Sequence, residues 1–389
     1  MRTLGEPPTL GVVGGGQLGR MLAEAASPLG VELVVLDPTP DCPAAPVVRE
    51  QIVGDFDDAD ALDELAARSD ALTFEIELAD PDLLERVGEE RGVPVHPDPA
   101  TLRTIQDKLV QKRRLREWGV PVPEFRPVED REDLLAAGEE LGYPMMLKAR
   151  RGGYDGRGNV PVESAEDVDD ALAAVSGDLM VEAFVPFERE LSVIAVKGDD
   201  EVATFPVGEN VHEEEILRET VVPARTSEDT RERAEAVARD VLDAMSGRGV
   251  YGIELFETGE TPQASRSDGI LVNEIAPRPH NSGHFTIEGA LTSQFEQHVR
   301  GVLGYPLGAT DLRGPVAMSN VLGDVEEPRP AELAGVDEVL ATRGANFHWY
   351  GKDEVRPLRK MGHVTLVGEP SASDLLAEAR DCTDALTFR

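Results

Sequence analysis

The sequence predicts an α/β protein of three domains, and three observations carry that prediction. Apolar strand-like runs alternate with helical segments over the first hundred or so residues. The first of these alternations holds a glycine-rich turn. And 389 residues are too many for one ordinary hydrophobic core.

Thr9-Leu10-Gly11-Val12-Val13 is a β-run, followed by Gly14-Gly15-Gly16-Gln17-Leu18-Gly19 and a helix predicted over residues 20–29. A second strand over 32–36 ends at Asp37, so a G-x-G-x-x-G turn is followed by an acid about twenty residues on, the spacing of a dinucleotide site. The same turn presents helix N-terminal N–H groups to any anion, and it also serves as a tight connection with no ligand. A helix over 57–68, a strand over 71–74, a helix over 81–91 and a strand over 93–95 extend the alternation, which predicts a parallel sheet up to about Ala100. Glu75 and Glu77 leave the end of a strand, at the ligand-facing edge of such a sheet, where they either receive a substrate's polar groups or stand solvated.

A helix is predicted over 104–118, basic in an otherwise acidic chain through Lys108, Lys112, Arg113, Arg114 and Arg116, and Gly119-Val120-Pro121-Val122-Pro123 breaks it. From Pro144 a strand presents Lys148 and runs into a loop, to Gly158, that holds glycines and arginines together. Glycines let the backbone close over phosphates and the cations neutralise them, although the Walker spacing is absent. A strand over 179–183 ends near Glu182, and another starts at Phe187 and passes Glu190, where a nucleotide cleft uses carboxylates for adenine and ribose hydroxyls.

Residues 251–256 and 270–275 form a hairpin across a long polar connection. Glu254 and Glu274 each leave an apolar run, with Asn273 beside them, an all-oxygen set suited to Mg²⁺ bridging nucleotide phosphates. Pro277 and Pro279 then stiffen the backbone on either side of Arg278, so its guanidinium and the imidazole of His280 arrive preorganised for an anion. After Pro306 come short β-runs over 316–322, 345–349 and 363–367, with a closing helix over 372–380. Within this third region Lys352, Arg356, Arg359 and Lys360 gather as a phosphate monoester site would require.

Composition narrows the class. The formal net charge is -37, from 75 acidic against 38 basic residues, spread along the chain on helices with regular apolar positions, which argues against a nucleic-acid partner. Adaptation to concentrated salt is the simplest account. No run approaches the roughly 18 to 20 apolar residues of a membrane span, and the N-terminus has no apolar leader, so a soluble, cytoplasmic protein with no membrane partner is expected. Cys42 and Cys382 make neither a disulfide framework nor a Cys-based metal site.

Together, Gly14–Met21, Asp107-Lys108, Arg151–Gly158, Asn273–His284 and His348–Lys352 with Arg356-Pro357 and Arg359-Lys360 resemble the ATP-grasp superfamily, and within it the N5-carboxyaminoimidazole ribonucleotide synthetase family of purine biosynthesis. The likeness covers essentially the whole chain. It implies an ATP-grasp domain over 104–305, preceded by a Rossmann-like parallel domain over 1–103 and followed by a small β-rich domain over 306–389. It implies a ligase that carboxylates 5-aminoimidazole ribonucleotide with bicarbonate through carboxyphosphate, releasing ADP and phosphate, with Mg²⁺ or Mn²⁺ as cofactor and a homodimer as assembly. By the same resemblance ATP lies between Lys108 and Lys148 under a lid of Gly153, Tyr154, Asp155, Gly156, Arg157 and Gly158 with Asn159. Glu182, Ala183, Phe184 and Val185 approach the adenine, Glu190 the ribose and His212 the nucleotide, while Asn273 and Glu274 meet its phosphates. Glu254, Glu274 and Asn273 hold the metal. Arg278, His280, Tyr154 and Arg157 take the catalytic roles. Gln17, Glu77, Tyr154, Asp155, Arg157 and His280 position the acceptor, and Lys352, Arg359 and Lys360 its 5'-phosphate. Two positions depart from the family pattern: Leu78 stands where Asn is frequent, and Leu358 where Gly is frequent. The competing readings are another ATP-grasp ligase, a non-catalytic nucleotide sensor, and an NAD-binding oxidoreductase that explains only the Gly14–Gly19 turn.

If the charge reflects salt adaptation, the melting temperature rises from dilute buffer to molar KCl, where the Debye length falls to about 3 Å. Equal melting temperatures at both ends of a KCl series exclude it.

Overall fold

The computed structural model describes residues 7–152, 158–259, 268–369 and 371–389. Strands β1 (Thr9–Val13), β2 (Glu32–Asp37), β3 (Glu50–Val53) and β4 (Ala71–Phe74) pair in parallel in the order β3-β2-β1-β4. β1 and β4 are buried throughout, because helices cover both faces of a parallel sheet. Helix α1 (Gln17–Ala26) starts earlier than the periodicity predicted, directly on the glycine turn. α2 (Ala59–Ala67) and α3 (Pro81–Arg91) are capped by the side chains of Asp58 and Asp80, each of which accepts two backbone N–H groups. The strand expected over 93–95 is reduced to a single bridge from Val95 to Leu72.

The basic helix expected over 104–118 is two helices, α4 (Pro99–Ile105) and α5 (Lys108–Glu117). Asp107 makes the break: its carboxylate accepts from the N–H groups of Leu109 and Val110 and so starts a new helix, while also receiving Arg150 at 2.5 Å. Lys108 and Lys112 therefore lie one turn apart on the same face of α5.

Strands β5 (Phe125–Val128), β6 (Met145–Ala149), β7 (Asn159–Val162) and β8 (Leu179–Ala183) form an antiparallel sheet in the order β5-β8-β6-β7. α6 (Arg131–Leu141) and α7 (Val168–Ala174) pack on it through Leu134, Ala137, Val168 and Ala171. A nine-stranded antiparallel sheet then builds from β9 (Phe187–Lys197), β10 (Val202–Thr204), β11 (Gly208–Glu213), β12 (Ile216–Val222), β13 (Gly249–Thr258), β14 (Ile270–Ala276), β15 (Val316–Leu322), β16 (Ala345–Trp349) and β17 (Lys360–Val367). Its order is β14-β13-β9-β11-β12-β15-β17-β16, with β10 on β9. Because β15 pairs with β12, the C-terminal strands extend this sheet and leave no gap in it near residue 306. α8 (Glu228–Ala244) fills one face with Ala234, Ala238 and Val241 against Val193, Ile253 and Leu255.

Two contacts fix the first sheet against the large one. α9 (Gln294–Val302) packs Phe295, Val299 and Val302 against Leu18, Met21 and Leu22 of α1. On the same helix the fully buried His298 joins Thr73 of β4, 2.8 Å from Nε2, to the N–H of Val250 in β13, which donates to Nδ1 at 3.1 Å. Burial holds this imidazole down to about 3, so it stays neutral and can accept that N–H. A last helix, α10 (Ala372–Asp384), closes the C-terminus with Leu375, Leu376 and Ala379 on Ala317 and Leu366. Among the described residues no helix is long and apolar enough to cross a membrane, and both cysteines are free and buried.

Candidate active site

The Gly14–Gly19 turn is filled by the chain itself. Glu75, at the end of β4, accepts the N–H of Gly16 through Oε1 and that of Gly19 through Oε2 at 2.7 Å. Asp37 takes the N–H of Gly15 at 2.9 Å and that of Thr39 at 2.8 Å, so the acid at the dinucleotide offset serves the turn and not a ribose. Gly14 has φ +105°, and a Cβ there would stand 2.4 Å from Cγ of Glu75. The anion at this helix N-terminus is therefore an internal carboxylate, pushed up to about 7 by its burial despite the two N–H groups. This corrects the dinucleotide expectation. What the turn delivers to the site is Gln17 at the start of α1 and, beyond Glu75, Glu77.

The hairpin of β13 and β14 carries a β-bulge. Glu254 opposes Glu274 while Leu255 opposes Val272, so Asn273 is the extra residue. The bulge lets Val272 and Ile275, three apart, share one apolar layer, and it sets both Asn273 and Glu274 against Glu254 on the strand edge. Lys112, buried on α5, donates to the carbonyls of Val272 at 3.0 Å and Asn273 at 2.9 Å. Its ammonium is also 3.2 Å from Oε1 of Glu182, whose Oε2 receives Lys148 at 2.8 Å. Burial would raise the Glu182 carboxyl, but Lys112 and Lys148 outweigh it and bring it down to about 2. Both Glu182 oxygens are thus committed to lysines, so its influence on a nucleotide runs through Lys148. Sequence reading placed Lys112 in a basic run; its spacing of four from Lys108 was the available signal that the two share a helix face.

Around Glu254 the negative charge is concentrated. Burial, together with Glu274 and Glu190, pushes its carboxyl up to about 7 against the opposing pull of His212. His212 lies 2.9 Å from Glu190, and that contact outweighs burial to hold its imidazole above the usual range. Nε2 of His280 is 3.9 Å from Glu254. Its Nδ1 lies 2.8 Å from the Ser282 hydroxyl, and Gln294 holds its backbone N–H at 3.0 Å and carbonyl at 2.8 Å. Burial and the nearby Arg278 keep His280 well below the usual imidazole range, hence neutral. The ring fits only because residue 252 is glycine, since a Cβ there would stand 2.4 Å from that of His280. Arg278 reaches back to the first sheet: Nη2 donates to Oε2 of Glu77 at 3.0 Å, and Nε is 2.8 Å from Oε1.

The C-terminal cations arrive from the other side. Lys352 donates to Oε1 of Gln17 at 3.0 Å and to the Lys360 carbonyl at 2.5 Å. Gln17 is in turn 3.5 Å from the buried His284, one end of a row of rings in which His363 lies between it and the partly exposed His348, the last two stacked at 4.4 Å. Arg359 donates to the carbonyl of Glu354 at 2.6 Å, so its guanidinium is turned partly onto its own loop. Leu358 has φ +60°, the left-handed conformation that a glycine would adopt without cost. Lys108 opens α5, its N–H donating to the Arg150 carbonyl at 2.9 Å. Asn159 pairs with Lys148 across β6 and β7, and Gly158 accepts the Ala149 N–H at 2.8 Å. Ala183 and Val185 are buried while Phe184 stands exposed. Gly153, Tyr154, Asp155, Gly156 and Arg157 lie outside the described residues.

The donor set fits a divalent cation. Glu254 and Glu274 stand opposite one another with Asn273 beside them, an oxygen-donor set, and after burial Glu274 is the negative charge that most raises the Glu254 carboxyl. Among the described residues no group of three or more His, Cys, Asp or Glu side chains could by itself hold a metal ion.

Three family models match: a ribonucleotide synthetase preATP-grasp domain over residues 8–106, an ATP-grasp domain over 113–295 and a phosphoribosylaminoimidazole carboxylase C-terminal domain over 316–376. The chain is 43% identical over 363 residues to an N5-carboxyaminoimidazole ribonucleotide synthase of Brucella melitensis, covering 92% of this chain and 96% of that one. It is 41% identical to a chloroplastic phosphoribosylaminoimidazole carboxylase of Vigna aconitifolia, but spans 65% of that longer protein. Among solved structures, N5-carboxyaminoimidazole ribonucleotide synthetase from Thermotoga maritima superposes with a TM-score of 0.87 at 40% identity, over 98% of this chain and 99% of that one. The Aspergillus clavatus synthase in complex with ADP and 5-aminoimidazole ribonucleotide superposes with a TM-score of 0.88 at 36% identity, over 97% of this chain and 99% of that one.

Glu254 gives a pH test. Its folded value of about 7 lies above the ordinary 4.5, so the folded protein holds this proton more tightly than the unfolded chain does, and stability falls as pH rises through that interval. Without divalent cation at pH 8, Glu254→Gln is expected to stabilise the protein by up to about 3 kcal/mol, an advantage that shrinks toward pH 5. Thermal melts of both proteins at the two pH values check it; a variant less stable than wild type at pH 8 removes the crowding of charge from the account.

Proposed function

The chain belongs to the N5-carboxyaminoimidazole ribonucleotide synthase family of ATP-grasp proteins, and on that premise we propose that it carboxylates the amine of 5-aminoimidazole ribonucleotide with bicarbonate at the expense of ATP. The observation that carries the reading is the meeting, within residues 273–284, of groups for all three substrates. Asn273 and Glu274 face Glu254 for the nucleotide's cation, Arg278 and His280 follow for bicarbonate, and His284 leads through Gln17 to Lys352 for the acceptor.

Glu254, Asn273 and Glu274 would hold a divalent cation, Mg²⁺ by the hardness of the donors, and it would supply positive charge against the ATP phosphates. Lys148, kept charged by Glu182, supplies a second positive group for the same phosphates. A bicarbonate oxygen attacks the γ-phosphorus, the bond to ADP breaks, and carboxyphosphate forms. Arg278 has N–H groups left over after its contacts to Glu77 and the Pro279 carbonyl, and these stabilise the charge that develops on the carboxyl oxygens. The acceptor amine then attacks that carbon, or the CO₂ it releases, and phosphate departs. The proton shed by the amine has a neutral imidazole, His280, to receive it. Lys352, Arg359 and Lys360 hold the acceptor's phosphate, and they distinguish this acceptor from those of other ATP-grasp ligases. A homodimer and a salt-rich cytoplasm belong to the same proposal, the first supported by the family resemblance and the second by the net charge of -37.

Release of ADP in high salt is expected to require both bicarbonate and 5-aminoimidazole ribonucleotide; turnover indifferent to the ribonucleotide refutes the assignment. Arg278→Ala should lower kcat by about 10² or more, the usual loss for a donor that stabilises developing charge. A near-normal kcat would take Arg278 out of the mechanism.

A further inference from the structure

Lys112 is 2% exposed, and the reaction proposed above gives it no task. Its ammonium donates to the Asn273 carbonyl at 2.9 Å and the Val272 carbonyl at 3.0 Å, and it forms an ion pair with Oε1 of Glu182 at 3.2 Å. Two of these are the carbonyls of the bulge. β14 is the edge of its sheet, where Val272 turns its N–H away from β13 to the Pro121 carbonyl at 2.8 Å, and Asn273 is the extra residue of the bulge, so buried carbonyls at these two positions need a donor from elsewhere. Lys112 is that donor.

What the bulge does shows what losing the donor would change. With Leu255 kept opposite Val272, a regular ladder would place Asn273 opposite Glu254, turn Glu274 toward the apolar layer and turn Ile275 out of it. The carboxylate pair would be lost. We propose that Lys112 is a positioning residue for the divalent cation: by clamping both carbonyls it holds Asn273 and Glu274 against Glu254. By sharing Glu182 with Lys148 it ties that geometry to the lysine assigned to the phosphates. The inference rests on the nucleotide and cation reading and identifies the group that shapes its metal end.

Mn²⁺ is the probe. Its affinity for the full chain in the presence of ATP is measured by electron paramagnetic resonance for wild type and Lys112→Met, with circular dichroism to establish folding and the ribonucleotide KM as an internal reference. Lys112→Met should bind Mn²⁺ about tenfold or more weakly while the ribonucleotide KM stays within about twofold, because Lys352 and Gln17 are untouched; this order of loss is what removal of a group orienting a metal's ligands produces. A folded variant with wild-type Mn²⁺ affinity overturns the role of Lys112 alone. A wild type that binds no Mn²⁺ with ATP overturns the reading beneath it as well. If Lys112→Met does not fold, Lys112→Arg is read in its place with the same outcomes, since a planar guanidinium cannot direct three donors from one atom.

Discussion

A buried ammonium shared between a carboxylate and two strand carbonyls sets the layout of the site. Ions far from water are tolerated only where geometry satisfies them, and removing one partner of such a pair typically costs about 3–5 kcal/mol. Here Lys112, Lys148 and Glu182 satisfy one another and the backbone, and together they carry one positive charge more than they cancel. A short distance away Glu190, Glu254 and Glu274 gather negative charge, which His212 and Lys360 offset in part at Glu254 and which Lys112, Lys148 and Arg278 feel from Glu274. Opposite fields on neighbouring walls suit a ligand that is itself composite, anionic phosphates with a cation attached.

The loop after β14 is held from several directions. Gln294 grips both backbone polar groups of His280, Asn281 and Asn320 exchange amide hydrogen bonds at 3.1 and 2.9 Å, and Glu77 anchors Arg278 from the first sheet. These anchors come from three stretches of sequence, and the His298 bridge and the unbroken β12–β15 pairing keep those stretches in fixed relation. Arg278 and His280, the groups proposed for bicarbonate, are thus held by the fold's own contacts, the condition under which fixed dipoles act without a reorganisation cost.

Much of this was legible in the sequence, for identifiable reasons. β1, β4, β8, α3 and β16 fall where apolar runs meet cap or turn residues, and the opposition of Glu254 and Glu274 followed from two apolar strands with one acid each. Other features were hidden because their cause is tertiary. The break at Asp107 looked like one more polar residue in a helical run until its capping bonds and its Arg150 contact were seen. The bulge had a trace in the sequence, since Val272 and Ile275 are both apolar at a spacing of three, but strict alternation has no place for it. The strand expected at 93–95 meets β4 at Leu72 alone, through the Pro94 carbonyl at 2.8 Å and the His96 N–H at 2.9 Å, and the small C-terminal region gave no hint that its strands would lengthen the central sheet.

The Glu75 carboxylate in the glycine turn bears on how such turns are read elsewhere. A helix N-terminus framed by glycines is usually taken as a vacancy for a nucleotide, yet here the occupant is encoded some sixty positions downstream, at |i−j| = 59 from Gly16. The informative position in this chain is thus the residue that follows the strand facing the turn. An acid there, as in Thr73-Phe74-Glu75, identifies a self-ligated turn whose role is to orient neighbours. In this chain the glycine pattern alone does not disclose that the seat is filled, and the acid beyond the strand end does.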